Sequence, residues 1–152
     1  MSIDPRLAAV RESVEVHCPI DGAFDLFTTR MVEWWPLDMA SYGGSRAKEI
    51  FLEPRVGGRF FERFVDGDEL QVGTVIACDP PRRIVFTWRT VDWEGETEVE
   101  VRFRRVGEST RVELEHRGFD RLGPVGADVA AKFRGGWPGV LKSFADMAGR
   151  VP

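Results

Sequence analysis

The chain has 152 residues, 43% of them hydrophobic and 30% charged, enough for one folded domain with a core that needs no metal or disulfide staple. Its net charge of −4, with both signs interspersed, excludes the basic footprint of a nucleic-acid binder. No apolar run approaches the ~20 residues of a membrane span. The start, Met1-Ser2-Ile3-Asp4-Pro5-Arg6, lacks a basic-then-apolar export signal, so a cytoplasmic location is expected.

Arg11 to Cys18 alternates, with Val14 and Val16 opposing Glu15 and His17, and predicts a first strand. Pro19-Ile20-Asp21 opens a helix, with Asp21 a candidate cap and Ala23, Phe24 and Phe27 its apolar stripe. Met31 to Trp35 predicts a second short helical turn, stopped by Pro36, and Leu37 to Ser45 reads as a loop. Strands are then expected at Ala47–Glu53, Arg59–Val65, Leu70–Cys78, Arg83–Val91, Glu96–Val106 and Ser109–Gly118. Turns fall at Asp66-Gly67-Asp68, at Asp79-Pro80-Pro81 and at Gly107-Glu108. Val99, Val101 and Phe103 share one face against Glu98, Glu100 and Arg102, and Val112, Leu114 and His116 share one against Arg111, Glu113 and Glu115. A period of two this regular predicts a sheet with one dry and one wet face. The arginines at 82, 83, 102, 104 and 105 alternate with acidic neighbours and read as part of the wet face.

From Val125 to Met147 the period changes: Val125, Val129, Phe133, Trp137, Leu141 and Phe144 lay one stripe along a long helix. Gly135-Gly136 and Pro138 predict a kink or restart between Arg134 and Trp137. The resulting fold class is α+β: a curved antiparallel sheet of about seven strands, two short helices after the first strand, and a long C-terminal helix over the concave face. A cavity between helix and sheet is the expected functional element, in a single domain spanning residues 1–152.

The order of elements is that of the helix-grip arrangement of the START-like (SRPBCC) superfamily. Trp34-Trp35-Pro36, Glu53-Pro54-Arg55-Val56-Gly57-Gly58-Arg59-Phe60, Gly73-Thr74-Val75, Asp79-Pro80-Pro81, Phe86-Thr87-Trp88, Thr110 to His116 and Gly136-Trp137 resemble one family within it. These are the bacterial proteins similar to the C-terminal domain of the activator of Hsp90 ATPase, and the resemblance runs from about Arg11 to Met147. It implies the fold and leaves several functions open, because superfamily members bind lipids, sterols or hormones, cyclise polyketides or assist chaperones.

Chemical motifs are sparse. His17, His116, Cys18 and Cys78 lack zinc-type spacing, there is no Gly-x-Ser-x-Gly elbow, and Gly57-Gly58 is not followed by a helix that could hold a phosphate. No metal or cofactor is therefore expected, and the cysteines read as buried thiols rather than a disulfide. The candidate ligand-binding residues are Trp35, Phe60, Glu62, Trp88, His116, Phe133 and Trp137, where the aromatics read either as a packed core or as the wall of an apolar pocket. His116 is either a core histidine bonded to backbone or a ligand-contacting, proton-transferring group. Glu62, where relatives carry an apolar residue, either faces the cavity between Phe60 and Phe64 or is solvated beside Arg63 or Arg89. Trp93 is expected at an exposed rim or dimer contact.

Three functions follow, in order of preference. The first is a cofactor-free binder of a small, largely apolar molecule. The second is a cyclase- or hydratase-type enzyme with Glu62 and His116 as its acid–base pair. The third is a chaperone-related or regulatory protein-binding module, and a homodimer is a further candidate assembly.

Overall fold

The computed structural model describes residues 4–150. Strand β1 (Val10–Val16) leads into helix α1 (Ile20–Phe27), and a 3₁₀ turn at Met31–Glu33 precedes the loop to the next strand. Strands β2 (Ala47–Leu52), β3 (Arg59–Phe64), β4 (Glu69–Asp79), β5 (Arg83–Trp88), β6 (Thr97–Val106) and β7 (Ser109–Arg117) follow, and helix α2 (Gly126–Ala148) closes the fold. The sheet has seven strands in the order β1-β7-β6-β5-β4-β3-β2. Each strand from β2 to β7 pairs antiparallel with its chain neighbour, while β1 crosses to lie against β7, Val14 opposite Val112. This is a helix-grip α+β fold.

The alternating patterns place the core. Val99, Val101, Phe103, Val112 and Leu114 are all buried under α1 and α2, and Phe103 meets Phe24 and Phe27 edge-on at 5.3 and 5.9 Å. The outer face is an ion-pair lattice. Glu100 accepts from Arg83 and Arg117, each at 2.7 Å, and pairs with Arg102 at 2.6 Å. Burial would push the Glu100 carboxyl up, but these three arginines together hold it below its ordinary range. The expected basic cluster is thus partly neutralised on the wet side.

Register shifts interrupt the β2–β3, β3–β4 and β4–β5 ladders of the curled sheet. The β3–β4 register shifts between Phe60 and Phe61, and Gly73 lets β4 approach β5 so closely that a methyl there would overlap the carbonyl oxygen of Thr87. The loss of a side chain at Gly73 is what this crossing requires.

Three local expectations are corrected. Helix α2 runs unbroken from Gly126 to Ala148. Pro138 is exposed, so the Arg134 carbonyl it leaves without an amide partner faces water instead of the core, and no restart is needed. Asp21 does not cap α1: the cap position is Pro19, without a side-chain bond, and Asp21 lies in the first turn at the positive end of the helix. Trp93 is buried rather than exposed, packed edge-on to Phe133 at 6.4 Å. Cys18 and Cys78 are both free thiols; Cys18 is buried as expected, whereas Cys78 is only half-buried.

Candidate functional site: an aromatic cavity

A cavity of about 440 Å³ opens between α2, the end of β5 with the loop after it, and the loop that follows the Trp34-Trp35 pair. Its walls include Trp35, Trp88, Trp93, Phe133 and Trp137. Each wall residue has a structural reason to be there. Phe133, Trp137 and Val140 fall on the α2 stripe that faces the sheet, and Trp88 ends the inward register of β5 that begins with Ile84 and Phe86. Trp88 is the hub: its ring lies 4.9 Å from Phe133, 6.0 Å from Trp137, 6.3 Å from Trp35 and 5.0 Å from Phe60.

The fourth side of the cavity is the loop carrying Met39, Ala40, Ser41 and Tyr42. Buried side chains hold it by its backbone and by the Tyr42 hydroxyl. The Trp35 indole N–H donates to the Ala40 carbonyl at 2.6 Å. The Glu62 carboxylate accepts from the amides of Tyr42 and Gly43 at 2.8 and 3.0 Å. The Trp88 indole N–H donates to the Tyr42 hydroxyl oxygen at 2.7 Å. These side chains add to the loop's own turn bonds, in which the Met39 and Ala40 amides donate to the Pro36 carbonyl at 2.9 and 2.8 Å.

Glu62 therefore has a place that neither sequence reading gave it. It is 1% exposed and on the concave side, away from Arg63, which pairs outward with Glu49 and Glu69. Its two oxygens are occupied by loop amides, which is how a buried carboxylate stays satisfied without an arginine.

His116 lies beneath the cavity floor, fully buried, with its ring 4.4 Å from Phe133 and 4.8 Å from Phe119. Its hydrogen bonds fix its tautomer. An indole N–H can only donate, so Nδ1 must be the acceptor for Trp137 Nε1, 3.1 Å away. Nε2 then carries the proton and donates to Thr97 Oγ1 at 2.7 Å, and Thr97 in turn donates to the Trp88 carbonyl at 3.3 Å. Burial pushes the His116 pKa down to about 3, so the ring is neutral at physiological pH. The bonds go to side chains, not to the backbone partner expected for a core histidine.

Of the seven residues singled out from sequence, four line the cavity: Trp35, Trp88, Phe133 and Trp137. Phe60, Glu62 and His116 stand behind that wall, buried and in contact with it or with the loop. Sequence reasoning missed Tyr42, Met39, Thr90, Asp92, Val129 and Lys132. Tyr42 is the chain's only tyrosine, set in a glycine-flanked loop, and that singularity was the one available signal. Asp92 and Lys132 are exposed at the mouth, where their charged ends remain in water. Among the described residues no cluster of histidine, cysteine and carboxylate side chains could hold a metal, and no helix is long and apolar enough to cross a membrane.

Solved structures share this architecture. An anthrahydroquino-γ-pyrone synthase, Txn09, solved in complex with SUM, is 35% identical, with 94% of this chain and 99% of that one covered at a TM-score of 0.65. Protein MLL2253 from Mesorhizobium loti is 18% identical with a TM-score of 0.73 over 95% of this chain and 99% of that one. The Aha1 dimer from Colwellia psychrerythraea, also 18% identical, covers 93% and 96% at 0.68; at that identity both likenesses speak to the fold alone. No curated protein matches the sequence. The profile of one family does, over residues 17–149, and this span includes every wall of the cavity. The chain belongs to the family of activator of Hsp90 ATPase homolog 1-like proteins.

Proposed function

We propose that the protein binds a flat, largely apolar small molecule in the cavity between α2 and the sheet. The observation that carries this reading is the wall itself: four tryptophans and Phe133 around about 440 Å³, with Ser41, Tyr42, Thr90, Asp92 and Lys132 as the polar groups that could orient a ligand. Binding rests on apolar area removed from water, at roughly 25 cal/mol per Å² before ordering costs. The 35% identical synthase supports a small-molecule role in preference to a protein-docking one.

Mass spectrometry of the purified chain, native and then denatured, is the direct test. A reproducible extra mass that leaves on denaturation is the expected result. A clean mass of 17.2 kDa, together with no thermal stabilisation by a panel of aromatic metabolites and lipids, would sink the reading.

A second reading, a cyclase-type enzyme, is favoured by the same relative. In it the acid–base roles pass from Glu62 and His116, whose polar atoms are already engaged, to groups that face the cavity: Tyr42, Asp92 and Lys132. Turnover of an identified substrate that survives Tyr42→Phe, Asp92→Asn and Lys132→Met would end it.

A further inference from the structure

The hydrogen bonds behind the cavity all run in one sense, and they terminate at Tyr42. Trp88 Nε1 has only a proton to give, so at 2.7 Å from the Tyr42 oxygen it fixes that oxygen as the acceptor. The hydroxyl proton is therefore turned away from the indole. Among the described residues, no hydrogen bond takes that proton up. The rest of Trp88 is equally committed: its carbonyl receives the Thr97 hydroxyl, which receives the His116 Nε2–H, and His116 receives Trp137. None of these groups can reverse without stranding a buried indole N–H. Tyr42 thus presents a donor at one end of a cavity lined by Trp88, Phe133 and Trp137, with Thr90, Asp92 and Lys132 toward its mouth.

Taking the proposed binding role as given, we infer that Tyr42 is the specificity-determining group of the cavity, and that it selects flat apolar molecules bearing a neutral acceptor oxygen, of the ketone or quinone carbonyl type. The reasons for a neutral acceptor are local. Tyr42 is 43% exposed at the cavity mouth, yet partial desolvation, with the Glu62 carboxyl nearby, pushes its phenol above the ordinary range, so it remains protonated and able to donate. The same carboxylate holds the Tyr42 and Gly43 amides and disfavours a second anion beside it. A carbonyl oxygen accepts the phenolic proton without bringing a charge, while its ring system stacks against Trp88, Phe133 and Trp137.

Fluorene and 9-fluorenone test this, since they share one ring skeleton and differ by one carbonyl. Calorimetric titration gives the ratio of their affinities. The wild-type protein should prefer fluorenone by about three- to tenfold, the worth of one neutral hydrogen bond, and Tyr42→Phe should bring the ratio to about one. Fluorene binding without any preference overturns the role of Tyr42 and leaves the cavity reading intact. Binding of neither probe overturns both. A measurement that needs no variant stands beside it: the carbonyl stretching band of fluorenone bound to the wild-type protein should lie below its position in hexane. An unshifted band overturns the inference even if Tyr42→Phe disturbs the loop.

Discussion

The indole N–H of Trp137 is aimed at Nδ1 of His116, 3.1 Å away, and thereby denies that nitrogen a proton. A ring buried among Trp88, Phe119, Phe133 and Trp137 has no carboxylate to stabilise its charged form. Above pH 6.5, the ordinary value, the ring is neutral whether the chain is folded or unfolded. Below it the unfolded chain binds a proton that the folded core refuses, so stability falls as pH drops, until the folded value of about 3 is reached. The slope contributed is about 1.4 kcal/mol per pH unit. Denaturant melts at pH 7 and pH 5 should show this loss, and His116→Gln should remove most of it while lowering stability at pH 7. Identical pH slopes in the two proteins would refute the assignment.

Glu62→Gln should loosen the loop and leave the sheet intact. Glutamine offers one acceptor oxygen to two amides and turns an N–H₂ toward the other. The expected cost is about 2 kcal/mol. Hydrogen exchange checks it: the amides of Tyr42 and Gly43 should lose protection selectively, while those of β6 and β7 keep theirs. Uniform loss across the sheet would mean that Glu62 supports the core generally.

Trp88 is wall and core at once, so its substitution does not separate binding from folding as a purely pocket-facing residue would. Trp88→Ala removes the side chain that touches Trp35, Phe60, Phe133, His116 and Trp137, and should cost about 3–5 kcal/mol. Trp88→Phe keeps much of the packing but removes the hydrogen bond to Tyr42. Thermal melts should rank the wild type above Trp88→Phe and Trp88→Phe well above Trp88→Ala; equal losses would contradict the packing described.

Gly73→Ala should destabilise strongly, because the added methyl meets a backbone carbonyl on β5 that cannot move without breaking the ladder. Gly135→Ala, exposed on α2, and Gly136→Ala, at the cavity edge, each have open space for the added methyl and should instead be neutral or stabilising, by up to ~1 kcal/mol. Circular dichroism melts of the three variants decide the matter.

Much of this architecture was legible in period and punctuation. Alternation in β6 and β7 set both faces of the sheet, and the stripe from Val129 to Phe144 set the face of α2 and with it three lining residues, Val129, Phe133 and Trp137. What was illegible depended on partners distant in sequence. Glu62 meets amides about 20 residues away, and His116 meets Trp137 across the fold, 21 residues on. The loop around Tyr42 has no periodicity, because side chains elsewhere determine its shape. Trp93 looked exposed because its neighbours Val91, Asp92 and Glu94 are; it turns inward alone to meet Phe133.

Four of the five tryptophans, at 35, 88, 93 and 137, stand in the cavity wall. The fifth, Trp34, is buried away from it, its indole N–H given to the Leu26 carbonyl at 2.7 Å. The protein is consequently its own optical sensor. Quenching or a spectral shift on adding a molecule would arise chiefly from the four wall indoles, and single Trp→Phe replacements would report from which side the molecule enters.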